Sequence, residues 1–409
     1  MSTRAESRFS KSLVLKLLEP MNLGRLEMTL PSGQTRVYGS DAARGRARVV
    51  VRSDDFFRKC ALYGDVGFGE AYVDGDWDTD DVTAVISWMI LNVENHPTLM
   101  GSRPKRAFVN FLRALNNLRH RLRPNTESGS RKNIAAHYDL SNDFFALFLD
   151  PTMTYSCAMF GADAGTLEAA QRRKFDELCS KLRVRAGDRV LEIGCGWGGF
   201  AVHAAKNYGC RVTGITVSSE QFEYARRRVS EEGLSDRVEI RLVDYRRLEG
   251  RFDKIVSIEM IEAVGHEFLD AYFLQCHRLL KKDGVLAIQG ILAPDARYES
   301  FRKNSDWIQK HIFPGGLLPS FEAILAAVRR TGDLGLHDYE DLSPDYARTL
   351  ARWRDNLNAR RADALTMGFD EAFLRKWNYY FSYCEGAFRM RNIGIAQMIF
   401  SRPNNPGLG

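Results

Sequence analysis

Residues 190–200 read VLEIGCGWGGF, a short apolar strand that runs straight into a turn carrying Gly194, Gly196, Gly198 and Gly199. Glycine lets a backbone turn tightly and brings its N–H groups close to a ligand, because no Cβ stands in the way. Glu192 leaves one carboxylate just before the turn. A strand, such a turn and then a helix is how doubly wound α/β domains hold an adenosine-containing ligand. The turn alone does not say which one.

The surrounding pattern agrees. Apolar strands are predicted at 189–193, 211–216, 238–243, 254–258 and 285–291, with helices between them, for example 219–232 and 266–280. Near-continuous apolar strands alternating with helices imply a parallel sheet covered on both faces. Helices at 321–330 and 346–361 and a last strand at 395–401 follow, and that strand can pair onto the sheet edge. Residues 1–100 are less regular: a helix near Phe9, Leu13 and Leu17, strand-like pieces at 24–30, 35–38 and 47–51, and a helix at 54–61. Residues 64–81, GDVGFGEAYVDGDWDTDD, read as a turn-rich acidic loop. Asp74, Asp76 and Asp78 lack the closing Glu of a calcium loop, and no metal site is assigned.

The second strand narrows the ligand. A dinucleotide fold wants Asp or Glu at its end for the ribose hydroxyls. This chain has GITVSSEQ instead, offering Thr216, Ser218 and Gln221, and the third strand ends at Asp244 and Tyr245. Neutral hydroxyls and an amide, one acid and no Lys/Arg cluster for a pyrophosphate favour an adenosine ligand without phosphates, such as S-adenosylmethionine. The third glycine of GxGxxG, at Gly199, leaves a dinucleotide as the alternative.

A chain of 409 residues with 44% hydrophobic and 27% charged residues suits two globular domains. No apolar run reaches the length of a membrane span, and the first 20 residues lack the pattern of a signal peptide. The seven cysteines are scattered and form no CxxC pair, which argues against a zinc site or a disulfide framework and suits a reducing cytoplasm. The net charge of +6 is unevenly spread. Between Ser102 and Lys132 stand nine Lys/Arg residues against one acid, Glu127, with Phe108, Phe111, Leu112, Leu115, Leu118 and Leu122 at near-helical spacing. Such a helix can lie on an anionic membrane surface or pack on its own domain with a solvated basic face. No nucleic-acid recognition motif accompanies it. Residues 124–130, PNTESGS, read as a linker between residues 1–123 and 131–409.

HYDLSNDFFALFLDPTMTYSCAMF (137–160), LEIGCGWGGFAVHAA, GITVSSEQ, SIEMIEAVGHE, KHIFPGGLLPS and YCEGAFRMRNIGIAQMIFSRP closely resemble the cyclopropane-fatty-acyl-phospholipid synthases, across nearly the whole chain. The resemblance implies a class I methyltransferase (Rossmann-like) doubly wound α/β sheet, with a smaller mixed α+β N-terminal lipid-binding domain. It implies transfer of a methylene group from S-adenosylmethionine to a cis double bond of a phospholipid acyl chain. In that family the new methyl group of a carbocation loses its proton to a bound bicarbonate ion. Carried over by motif, the bicarbonate cage comprises the Cys157 backbone amide, Glu262, the Ile291 backbone and the Tyr346 hydroxyl. Gln289 stands where the best-known members carry histidine; an amide can donate a hydrogen bond but cannot hold a proton.

For the cofactor, the resemblance places Tyr155 and Ser156 at the methionine end and Gly194, Cys195 and Gly196 beneath it. Thr216, Ser218 and Gln221 fall near the ribose, Asp244 and Tyr245 beside the adenine, and Ile258 closes the pocket. A homodimer is expected on the same ground, as is a cytoplasmic protein held peripherally at the inner face of the membrane. Two alternatives remain: a related methylase leaving a methyl or methylene branch, which the glutamine at 289 would mark, and a non-enzymatic lipid-binding protein, against which the glycine turn, Glu262 and Tyr346 argue.

Overall fold

Five strands form the parallel heart of the catalytic sheet: β5 (Arg189–Ile193), β6 (Arg211–Thr216), β7 (Val238–Leu242), β8 (Phe252–Ile258) and β9 (Leu280–Leu292). Two antiparallel strands, β10 (Gly335–Asp341) and β11 (Gly394–Ser401), extend it beyond β9. The order is β10-β11-β9-β8-β5-β6-β7. The order reverses at β5, so the glycine turn that follows this strand opens at the topological switch point. The computed structural model describes residues 2–40, 45–93, 141–161, 165–303 and 306–408. The basic segment 102–132, the linker 124–130 and His137 lie outside the described residues.

The strands bury both faces. Leu191, Ile193, Ile255, Leu286 and Ile288 pack with Tyr272, Phe273 and Cys276 of the helix Leu269–Leu279 and with Ile324 and Val328 of the helix Phe321–Thr331. Their neighbours Val190, Val212, Val256 and Val285 face the other way. They meet Phe175 and Leu178 of the helix Leu167–Leu182, Phe200 and Ala204 of Gly199–Tyr208, and Ala225 and Val229 of Ser219–Glu231. Successive strand residues point to opposite faces, so an unbroken apolar run feeds two cores at once.

The chain divides into two compact units, and the division is not a single cut at the linker. The unit just described holds Arg123–Lys303, Phe313–Arg352 and Ile393–Gly409. The other joins Met1–Leu122 to Asn304–Ile312 and Trp353–Asn392. It contains a four-stranded sheet, β2-β1-β3-β4, built from β1 (Arg25–Thr29), β2 (Thr35–Gly39), β3 (Arg46–Val51) and β4 (Trp77–Asp78). The late residues join it for a packing reason. The helix Glu371–Arg389 lies on the helices Asp55–Val73 and Val82–Val93, where buried Glu385 accepts from Thr83 Oγ1 (2.8 Å) and pairs with Arg354.

In the same unit the loop expected from Gly64 is helix as far as Val73. Gly64 acts as a turn glycine at the start of that helical stretch (φ 59°), and Gly75 does so beyond its end (φ 78°). Gly67 and Gly69 are there for close packing: a Cβ on Gly67 would stand 2.1 Å from the Lys59 carbonyl oxygen, and one on Gly69 2.6 Å from the Trp307 ring. Asp74 and Asp76 take Lys59 as their counter-ion (2.5 and 2.6 Å), and Asp78 takes Arg52 (3.2 Å).

Candidate active site

The glycine turn has the left-handed backbone that its composition implies: φ is 82° at Gly194, 51° at Gly196 and 80° at Gly198. Three of its amides are already used, that of Gly198 on the Cys195 carbonyl (2.9 Å). Gly194 N and Cys195 N both donate to the Ile215 carbonyl (3.0 and 2.9 Å), which ties the turn to β6. Around Gly196 the space is open, with nothing within 4 Å of where a Cβ would stand. A side chain there would fill the cradle while leaving the protein's own packing untouched.

Thr216 ends β6, and its hydroxyl donates to Gln221 Oε1 (2.9 Å) while accepting from Ser218 N (3.1 Å). Ser218 caps the helix Ser219–Glu231. Asp244 follows β7, caps a short turn through Arg246 N (3.0 Å), and binds the Arg246 guanidinium with both oxygens (2.8 and 2.7 Å). Tyr245 packs edge-on against Tyr272, and Ile258 ends β8. These residues all stand at the carboxyl ends of parallel strands, the edge where open α/β sheets bind ligands. Open space at Gly196 with neutral hydrogen-bonding groups beside it fits S-adenosylmethionine. A Gly196→Val variant is expected to weaken cofactor binding by roughly tenfold or more, while the positive φ costs the fold about 1–2 kcal/mol. Calorimetric titration beside a thermal melt checks both; unchanged affinity would remove the turn from the site.

The catalytic candidates meet around a carboxylate that the motif reading did not select. Glu259 stands one residue beyond β8 and is partly buried. Its Oε1 accepts from the Cys157 backbone amide (2.7 Å) and from Gln289 Nε2 (2.8 Å). Its Oε2 accepts from the Tyr346 hydroxyl (2.6 Å). Three of the groups that the motif reading placed around bicarbonate, the Cys157 amide, Gln289 and Tyr346, thus converge on the protein's own carboxylate. Burial pushes Glu259 above the usual carboxylate range; Tyr346, the Lys174 ammonium, Gln289 and Cys157 each pull it back.

Glu262 stands apart from those donors. Its Oε1 accepts from Ile291 N (2.5 Å), and its Oε2 is buried without a hydrogen-bond partner among the described residues. Burial, then the neighbouring Glu259, push it up to about 8. These surroundings favour the protonated carboxyl of Glu262 at neutral pH. Both carboxyl groups are pushed up by burial, but only Glu259 is surrounded by three hydrogen-bond donors, an arrangement that can separate a base from an acid. The Cys157 thiol takes no part: it points at the Ala158 carbonyl (3.2 Å), and burial raises it far above its ordinary range.

The scaffold explains the convergence. Gln289 lies on β9, opposite Ile258 on one side and Gln397 of β11 on the other. Gln397 Nε2 donates to Gln289 Oε1 (3.1 Å), which turns the Gln289 amide nitrogen toward Glu259. Tyr346 rises from the first turn of the helix Ser343–Ala359, and Thr349 of that helix accepts from Ala158 N (3.1 Å), fixing the loop of Cys157. Tyr155 packs on Phe145 and Phe148, and its neighbour Ser156 accepts from buried Lys174 (2.6 Å). Sequence reasoning missed Glu259, Gln397 and Lys174. The signal for Glu259 was present in SIEMIE, which holds two carboxylates three residues apart after a strand, where the family motif has a role for one.

The family described as mycolic acid cyclopropane synthetase matches residues 125–398. Tuberculostearic acid methyltransferase UfaA1 of Mycobacterium tuberculosis is 40% identical over 387 residues, 90% of this chain and 88% of that protein. The cyclopropane-fatty-acyl-phospholipid synthase of Escherichia coli K12 is 38% identical over 365 residues, 88% of this chain and 90% of that one. Among solved structures, mycolic acid cyclopropane synthase CmaA1 complexed with SAH and CTAB superposes with a TM-score of 0.61 at 34% identity, covering 66% of this chain and 98% of that one. The cyclopropane synthase MmaA2 from M. tuberculosis gives 0.62 at 33%, with the same coverage.

Proposed function

The chain belongs to the mycolic acid cyclopropane synthetase family and is an S-adenosylmethionine-dependent methyltransferase, and from that premise we propose that it adds a methylene unit across the cis double bond of an unsaturated phospholipid acyl chain, with Glu259 as the general base. The observation that carries this reading is the convergence of Cys157 N, Gln289 Nε2 and Tyr346 Oη on the Glu259 carboxylate. A bound bicarbonate would need those same donors.

S-adenosylmethionine supplies, when bound, an electrophilic methyl group that leaves the alkylated acyl chain cationic. Gly196, Thr216, Ser218 and Gln221 hold the nucleoside end, and Tyr155 and Ser156 border the methionine end. Glu259 takes a proton from the new methyl group. The C–H electron pair closes onto the cationic carbon, giving a cyclopropane and a protonated Glu259. Three hydrogen bonds fix the carboxylate, so the base needs no reorganisation as charge moves. Glu262, held neutral, adds no second negative charge to a site that must release a proton to its neighbour.

A second product is favoured by a specific observation. The base is tethered, and Gln289 replaces the family histidine. If a hydride from the newly methylated carbon shifts to the cation before proton loss, the same Glu259 takes a methyl proton and the C–H electron pair forms a C=CH2 branch on the open chain. The name of the relative UfaA1, a methyltransferase, agrees with such an outcome. The substrate lies in a bilayer, and no helix among the described residues is long and apolar enough to cross one. The composition of the basic segment 102–132 supports a peripheral enzyme drawn to the anionic inner face of the membrane that carries this substrate.

The test is to incubate the protein with methyl-labelled S-adenosylmethionine and unsaturated phospholipid vesicles and analyse the fatty acids by mass spectrometry. Chains heavier by one CH2 are expected. Resistance to hydrogenation identifies the ring, and uptake of hydrogen the branch. Lipid binding without any labelled product would sink the enzymatic reading of the lipid site.

A further inference from the structure

Lys174 is 0% exposed, yet no part of the proposed chemistry uses it. It sits mid-way along the helix Leu167–Leu182, whose buried face otherwise packs Phe175, Leu178 and Cys179 into the core. Its ammonium donates to Ser156 Oγ (2.6 Å) and lies 5.1 Å from the Phe175 ring centroid. One turn earlier, Gln171 Nε2 donates to the Ser156 carbonyl (2.8 Å). The next residue is Cys157, whose amide holds Glu259. The helix thus grips the loop that aims the base, and it places a cation behind it. A buried ammonium is costly unless it is paired. The acidic groups that face Lys174 are Glu259 beyond β8, Glu192 on β5, and Asp150 and the Cys157 thiol on the loop 150–157. Two carboxylates, buried Glu192 and partly buried Glu259, are drawn back toward ionisation by this one cation.

We propose that Lys174 is the positioning residue of the site: its ammonium is the counter-charge that keeps Glu259 ionised, and through Ser156 it fixes the loop whose Cys157 amide aims that carboxylate. The proposal rests on the reading of Glu259 as base. Burial draws Lys174 down to about 8 against the pull of Glu259, Cys157, Asp150 and Glu192. The counter-charge is therefore present at neutral pH and fades as pH rises through that value.

The experiment is the pH dependence of turnover for wild type and Lys174→Met, a volume-conserving change without charge. Without the cation, burial acts on Glu259 with less opposition, so its proton is held to higher pH. The acid limb of kcat is expected to move up by about one pH unit or more, with turnover at neutral pH falling and recovering as pH rises. A uniform loss with an unmoved acid limb overturns the proposal, because a purely packing role would produce that. Should Lys174→Met fail to fold, carbon-13 labelling at lysine Cε reads the same coupling in wild type and Glu259→Gln. The Lys174 titration should shift to lower pH when the Glu259 charge is removed, and an unmoved titration overturns the proposal. Failure of the base reading is separate: it shows as undiminished turnover in Glu259→Gln, whatever the lysine does.

Discussion

Glu259→Gln should lower turnover on unsaturated phospholipid by about 10²–10⁴-fold, the usual contribution of a general base, with cofactor affinity and melting temperature close to wild type. The substitution removes the basicity and little else. An amide oxygen can still accept from the Cys157 amide and Gln289 Nε2, which now converge on Oε1. The amide nitrogen would then face Tyr346 Oη, and a phenol that now donates to Oε2 (2.6 Å) can accept instead. The hydrogen-bonded frame therefore survives, and the loss reports proton transfer. A companion measurement separates this base from a bound anion. Wild-type turnover in buffer stripped of carbon dioxide should equal turnover in bicarbonate. A requirement for bicarbonate, or a Glu259→Gln enzyme that still turns over, would return the role to an ion.

The contrast between Glu259 and Glu262 shows what the sequence carries and what it does not. The glycine turn, the five parallel strands and the polar groups ending β6 were legible because each is local: four to eight apolar residues, then a turn, then a capped helix. The closing strand β11 was legible for the same reason. Strand β10 was not, because six of its seven residues are exposed and it shows no period-two alternation. Residues 64–73 were misread because Gly67 and Gly69 look like turn glycines until their neighbours are known; the rings that require Gly69 come from Trp307 and Tyr379. The base was missed for a related reason. Cys157, Glu259, Gln289 and Tyr346 are dispersed over almost 190 positions of the chain, and a family motif reports which slots are filled but not what a new carboxylate does when it enters one. The glutamine at 289 did mark the altered place. It serves Glu259 directly, held in orientation by Gln397.

Glu259→Gly should convert the enzyme into one that depends on an added anion. Glu259 has φ 50°, a backbone conformation that glycine adopts freely and other residues rarely do. That strain costs about 1–2 kcal/mol in an L-residue, and it is held where the proposed chemistry occurs. Glycine relieves it, which offsets part of the loss of three hydrogen bonds, so the variant should fold. Removing the side chain leaves Cys157 N, Gln289 Nε2 and Tyr346 Oη aimed at a vacated space of carboxylate size. Formate, acetate or bicarbonate can occupy it, and turnover should rise with anion concentration by roughly tenfold or more over the unrescued variant, without reaching the wild-type rate because the tether's effective molarity is lost. Glu259→Ala should be rescued by the same anions but melt at a lower temperature, since it keeps the positive φ. Chloride, which has no basic oxygen, should bind without restoring turnover, and this divides filling the cage from taking the proton. Rescue by chloride equal to that by formate, or no rescue by any carboxylate in a folded variant that still binds cofactor, would show that the three donors position something other than a base.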